Sequence, residues 1–275
     1  MEEKIKTGDN YFLIGGSRVH VRCMGKGQPL LLIHGLGGPL MWQRLIEPLS
    51  VSFRVFVFDF PGFGDSMCSP HILSTQGYAS LVHDFLLHEE IQHVVCVGVS
   101  YGGQIAAHLA FQYPEQIQKL VLIASTGLAT QSSLLIHQPV WAIFSMMVKY
   151  TVLRSQRLLC WFGSFSFYDI ESRPAELCRN FFRQLAKPGN RDAWLDMLRN
   201  IYRPDEYFAR KLSTLVVPTL IAWGSNDRTV PSKYASVFKE LIPSAELTLF
   251  PECAHSVPLE KPQELCNAIC AFADK

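Results

Sequence analysis

The stretch Val94-Val95-Cys96-Val97-Gly98-Val99-Ser100-Tyr101-Gly102 decides how this chain is read. An apolar run without polar alternation enters a glycine–serine–glycine pentapeptide, and residues 102–113 behind it carry helical spacing. Continuous apolar runs bounded by turn residues are the pattern of strands buried on both faces, as in parallel sheets. The stretch therefore predicts strand, sharp turn and helix, with Ser100 on the turn. A serine there takes strained dihedrals, and flanking glycines keep the neighbouring strand and helix from clashing. The helix behind it presents N-terminal N–H groups to developing negative charge. An isolated G-x-S-x-G recurs by chance in Gly/Ser-rich loops, but this setting makes Ser100 a candidate nucleophile.

The same punctuation continues outward. Residues 30–33, 55–58 and 120–124 repeat the buried-strand pattern, and residues 219–223 and 247–250 restore it late in the chain. Residues 11–14 and 18–23 flank Gly15-Gly16 and predict an antiparallel hairpin. Helical spacing covers 75–90, opened by Ser74 as N-cap, and returns over 231–241 and 262–272. Such alternation predicts an α/β, doubly wound, mostly parallel sheet, in which ligands gather at the carboxyl ends of the strands.

The alternation lapses over residues 128–210, which hold helical periodicity and many aromatics, among them Trp141, Phe144, Trp161, Phe162, Phe165 and Trp194. An ordinary crossover with long helices is one reading. A stretch of roughly eighty residues far exceeds the usual connection, which favours a helical cap over the sheet. The expected division is a core of residues 1–127 and 211–275 and a cap of residues 128–210.

Composition narrows the classes. With 48% apolar and 18% charged residues in 275, disorder is excluded and one domain with an insertion is expected. A net charge of +1 argues against a broad phosphate-neutralising surface, so no nucleic-acid partner is expected. The eight cysteines include no CxxC pair, and the charged residues 1–9 lack an apolar leader core. Free thiols in a reducing cytoplasm follow as the expectation. Cysteines and histidines lack ligand spacing, so no metal is expected. No apolar run reaches the ~20 residues of a spanning helix; residues 141–148 come nearest and stop at Lys149.

Two further residues join Ser100. Asp227 lies beyond the strand ending at Trp223, and His255 beyond the strand ending at Phe250. Alone, each has a plain structural reading, an aspartate closing a turn and a histidine bound to a buried carbonyl. Serine, acid, histidine in that chain order, each after a strand end, point instead to one nucleophilic triad. His255 would take the Ser100 proton, and Asp227 would fix the imidazole tautomer. The His34-Gly35-Leu36-Gly37-Gly38 loop is either a turn made for geometry or one wall of an oxyanion hole, with the Leu36 and Tyr101 amides as donors. His34 is a second candidate base, or a structural residue orienting that loop.

Taken together, the His34-Gly35 loop, the Asp59-Phe60-Pro61-Gly62-Phe63-Gly64-Asp65-Ser66 turn, the Ser100 elbow, the Asp227 turn and His255 with Glu260-Lys261-Pro262 resemble the α/β-hydrolase superfamily. The resemblance implies an eight-stranded, mostly parallel sheet, a helical cap after the sixth strand, a structural role for Asp59 and Asp65, and hydrolysis without a cofactor. Ala254 stands where a glycine often precedes the histidine. Serine at the elbow disfavours the dehalogenase and epoxide-hydrolase branches, which carry aspartate there. The loop lacks the further glycines of HGGG esterases. Gly37-Gly38-Pro39 is similar to the loop of carbon–carbon hydrolases of ring-cleavage dienones, but Val99 and Ser256 replace the Asn and Trp of that branch.

The expected activity is cleavage of a carboxylic ester or thioester with an apolar acyl or alkyl group, entering beneath the aromatic cap. Arg154, Arg157 and Arg173 are candidate anchors for a carboxylate or phosphate, or else solvated cap residues. The basic, apolar stretch 134–167 is a candidate element for contact with a membrane surface. Competing readings are a carbon–carbon hydrolase, a cofactor-free perhydrolase, and a ligand sensor without activity.

Overall fold

Gly15 and Gly16, at φ 57° and 75°, reverse the chain between β1 (Gly8–Ile14) and β2 (Ser17–Met24), which pair antiparallel. Two consecutive positive φ angles are what a tight hairpin requires, and glycine reaches them without strain. The computed structural model describes residues 6–69, 71, 73–128, 139–203 and 205–275.

β3 (Gln28–Ile33), β4 (Phe53–Phe58), β5 (Val94–Val99), β6 (Ile117–Ile123), β7 (Thr219–Gly224) and β8 (Glu246–Phe250) complete one eight-stranded sheet in the order β1-β2-β4-β3-β5-β6-β7-β8. β2 pairs antiparallel with β4, and every later pairing is parallel. β5 and β7 are buried along their whole length, as their unbroken apolar runs require. The helices packed on this sheet are α1 (Ile46–Ser50), α2 (Thr75–His88) and α3 (Tyr101–Gln112), then α9 (Lys233–Leu241), α10 (Val257–Glu260) and α11 (Pro262–Ala273) late in the chain. Ser74 caps α2 by accepting the Gly77 N–H at 3.1 Å.

Two boundaries differ from the sequence expectation for visible reasons. β6 starts at Ile117 rather than 120, because the Lys119 ammonium is buried on the Phe272 and Ala273 carbonyls, 2.6 and 2.9 Å away, at the end of α11. A lysine inside an apolar run reads as its end, yet here a cation meets the negative pole of a helix. Further on, α9 starts at Lys233 rather than 231, because the Asp227 carboxylate holds the Thr229 and Val230 amides in a turn.

Between β6 and β7 the chain forms α4 (Val140–Tyr150), α5 (Gln156–Ser164), α6 (Leu177–Leu185), α7 (Asn190–Tyr202) and α8 (Glu206–Leu212). Val148, Leu153, Leu159, Leu185 and Leu195 make a small apolar cluster of their own, while Phe208 and Leu212 join the main core. Residues 129–138, which begin the expected cap and include 134–138 of its basic apolar stretch, lie outside the described residues. Among the described residues no helix is long and apolar enough to cross a membrane.

Candidate active site

Ser100 sits between β5 and α3 at φ 57°, ψ −123°, a conformation that costs an L-residue on the order of 1–3 kcal/mol. Its backbone is held there from both sides. The Ser100 N–H donates to Ile123 O at 2.8 Å, and its carbonyl accepts from Gly103 and Thr126 at 3.0 and 3.1 Å. A Cβ on Gly98 would fall 2.3 Å from Gly102 O, and one on Gly102 would fall 2.2 Å from Ile33 O. Both glycines are therefore demanded by the crossing of strand and helix. Ala124 and Glu252 also take positive φ, so strained residues follow β5, β6 and β8 alike at the carboxyl edge of the sheet.

The glycine loop after β3 lies directly on this elbow: a Cβ on Gly35 would come 3.1 Å from both Ser100 Cβ and Tyr101 N. His34 builds that loop. Its Nε2 accepts the Phe60 N–H at 3.1 Å, which puts the proton on Nδ1, and Nδ1 donates to the Gly35 carbonyl at 2.7 Å. Complete burial pushes its pKa down to about 4. With both ring nitrogens engaged and the ring neutral, His34 orients the loop and is not a base. The Leu36 and Tyr101 amides take no backbone acceptor among the described residues. The Leu36 carbonyl accepts the Trp194 indole N–H from α7 at 3.1 Å.

Asp227 and His255 are brought together. The His255 Nδ1–H donates to Asp227 Oδ2 at 2.7 Å, while Oδ1 accepts the Thr229 and Val230 amides at 2.8 and 2.9 Å. The carboxylate is thus fixed in orientation, with its side chain fully buried. The two loops are tied together by Ser225 N–H to Phe250 O and Asn226 N–H to Cys253 O, both 2.9 Å. Beyond the histidine, α10 packs on the turn Pro39–Trp42, and Arg44 Nη1 donates to Leu259 O at 2.6 Å. The histidine loop therefore folds back toward the glycine loop that covers Ser100. Among the described residues no hydrogen bond joins Ser100 Oγ to the His255 ring, whose one partner is Asp227.

A family model described as the alpha/beta hydrolase fold matches residues 28–262, most of the chain, with Ser100, Asp227 and His255 inside it. The chain belongs to the α/β-hydrolase fold family. A pimeloyl-[acyl-carrier protein] methyl ester esterase of Vibrio cholerae is 30% identical over 258 residues, covering 91% of this chain and 96% of that protein. The 2-hydroxy-6-oxo-6-(2'-aminophenyl)hexa-2,4-dienoic acid hydrolase of Metapseudomonas resinovorans is 28% identical over 273 residues, 95% of this chain and 89% of that protein. Among solved structures, a bacterial membrane phospholipase A superposes with a TM-score of 0.80 at 26% identity, over 97% of this chain and 86% of that one.

The remaining polar residues of this hydrolase sort by their partners. Asp59 takes the His20 Nδ1–H at 2.7 Å and the Asp65 amide at 3.0 Å, so the turn after β4 uses it structurally. Glu260 escaped sequence reasoning as a clamp: Oε1 accepts the Ala254 N–H at 3.0 Å, and Oε2 accepts the Tyr168 N–H at 2.7 Å. Together with the bond from Ser256 N–H to Ser166 O, 3.0 Å, it joins the histidine loop to the segment after α5. Arg173 donates to Cys160 O within the same helical region, and Arg154 lies over the Tyr150 ring. The aromatics of residues 140–168 divide: Trp141 is buried, but Trp161, Phe162, Phe165 and Tyr168 are half exposed. Phe181 and Gln184, on α6, approach Gly38 instead. Two cavities of about 180 and 300 Å³ run along α7 past Asp192 and Asp196, and neither is lined by Ser100 or His255.

Proposed function

We propose that this chain is a carboxylic ester hydrolase in which Ser100, His255 and Asp227 form the triad and residues 128–210 cap the site. The observation that carries the reading is the His255–Asp227 bond of 2.7 Å, which leaves Nε2 as the basic nitrogen, at the sheet edge where Ser100 is held at φ 57°. In the reaction, Ser100 Oγ attacks the ester carbonyl while Nε2 takes its proton. The Leu36 and Tyr101 amides hold the oxyanion, and the histidine returns the proton to the leaving alcohol. Water, deprotonated by the same nitrogen, then cleaves the acyl-enzyme. The Ser100–His255 contact of such a triad commonly tightens only around substrate.

The substrate inferred is an ester or thioester with an apolar acyl or alkyl group. The glycine loop meets Phe181 and Trp194, apolar walls suited to such a chain, and the Vibrio relative acts on a methyl ester of a carrier-bound acyl group. A carbon–carbon hydrolase is the second reading, favoured by the Metapseudomonas relative and opposed by Val99 and Ser256 at the positions flanking the triad residues. The eight cysteines are free thiols, which suits a reducing cytoplasm. A panel of p-nitrophenyl esters of increasing chain length, acyl thioesters and a dienone tests the assignment. Ester turnover lost by several orders of magnitude in Ser100→Ala supports it. Turnover of the dienone alone would transfer the assignment to the second reading, and no turnover of any substrate would favour a ligand sensor.

A further inference from the structure

We infer that the solvent-exposed faces of α4 and α5 form a docking face for an anionic phospholipid surface. On α4, Ile143, Met146, Met147 and Tyr150 are 63, 58, 56 and 54% exposed, and their spacing places them on one helix face. On α5 and at its C-cap, Leu158, Trp161, Phe162 and Phe165 repeat that spacing at 41, 57, 49 and 56% exposure. The opposite faces already bury Trp141, Val148 and Leu159, so both helices carry large apolar side chains on the solvent side as well as the packed side, whereas a surface helix normally turns polar residues to water. The feature is confined: α6, in the same helical region, meets solvent with an Arg179–Glu176 ion pair. Large side chains carry roughly 150–250 Å² each. Eight of them at half exposure put on the order of 800 Å² of apolar surface into water, on two helices joined through residues 152–154.

Charge selects the occupant. Residues 139–168 contain Lys149, Arg154 and Arg157 and no aspartate or glutamate; Lys149 is paired with Asp192 of α7, which leaves the exposed Arg154 and Arg157 to set the charge of the face. A second copy of this chain meeting the face across a two-fold axis would bring Arg154 and Arg157 against their own mates, while Asp192 beside α4 is already engaged by Lys149. An anionic bilayer offers the complement, with lipid headgroups for the guanidinium groups and acyl chains for the apolar stripes. The aromatics are arranged for such a boundary. Trp161 packs edge-on to Phe162 and Phe165 at 5.0 and 5.1 Å, and the Arg154 guanidinium lies 5.0 Å from the centre of the Tyr150 ring.

The test mixes the intact chain with vesicles of phosphatidylcholine alone or with phosphatidylglycerol, and measures sedimentation. The expected result is binding to the anionic vesicles, weakened by added salt. Arg154→Gln with Arg157→Gln should lower affinity about 25-fold, at about five-fold per cation. Trp161→Ser with Phe162→Ser and Phe165→Ser should lower it at least about ten-fold, with circular dichroism and melting temperature confirming the fold. Trp161→Phe keeps the apolar surface, so it should still bind while losing part of the tryptophan quenching by brominated lipid. Ser100→Ala should bind as wild type, which separates this inference from the assignment of the triad. Absence of binding to either vesicle, equal binding by the serine-substituted variant, or self-association through these residues in analytical ultracentrifugation would overturn it.

Discussion

His34 offers a prediction whose size follows from the structure. Its ring is fully buried and neutral, accepting from Phe60 and donating to Gly35, with a pKa of about 4 against an ordinary 6.5. Between those values the unfolded chain binds a proton that the native state refuses, so stability falls as pH drops through this window. At 1.36 kcal/mol per unit, the contribution lost is about 2 kcal/mol by pH 5 and about 3 kcal/mol near pH 4. His34→Gln keeps one donor and one acceptor but does not titrate. Urea unfolding of both proteins from pH 7 to pH 4.5 should therefore show the wild-type advantage shrinking by about 2 kcal/mol or more. His20 is the opposite case. Burial works against its charge, but hydrogen bonds to Asp59 and Asp9 outweigh that and raise its pKa. Its contribution is present below the ordinary pKa and fades as pH rises through the raised one, so His20→Gln should cost more at pH 6 than at pH 9. A pH-independent difference between wild type and His34→Gln would refute the buried neutral imidazole, and with it the exclusion of His34 as a base.

Other substitutions probe separate links. Asp227→Asn should leave melting unchanged while lowering kcat for an ester by about 10⁴-fold, because the amide no longer fixes the histidine tautomer; a loss under ten-fold would exclude Asp227 as the triad acid. Trp194→Phe removes the bond to Leu36 O. Steady-state kinetics should give a kcat/KM about five-fold lower, matching roughly 1 kcal/mol of positioning in the oxyanion loop. Lys119→Met leaves the carbonyls of Phe272 and Ala273 without their donor, and urea unfolding should report a loss of about 2 kcal/mol.

Much of this architecture is legible where one local requirement dictates the residue. Gly98 and Gly102 sit where any side chain would strike backbone, Gly15-Gly16 where two positive φ angles are needed, and Ser74 where a helix needs its first acceptor. The placement of Ser100, Asp227 and His255 beyond strand ends is legible because β5, β7 and β8 are parallel and end at one edge of the sheet. What escaped reading depends on partners far away in sequence. His34 is a candidate base until Phe60 is seen to donate to its Nε2, and Glu260 gains meaning only through Tyr168, 92 positions away. The dense aromatics of α5 predict a lining for the site, and Trp161 and Phe162 are half exposed, because helical spacing alone does not say which face meets the sheet.

The central claim is that Ser100 is an activated nucleophile served by His255. The most direct measurement is labelling of the folded chain by a fluorophosphonate, followed by intact mass and peptide mapping. The account predicts a single adduct on the peptide containing Ser100, absent in Ser100→Ala and formed orders of magnitude more slowly in His255→Ala. No adduct, an adduct on another residue, or a labelling rate untouched by His255→Ala would contradict it.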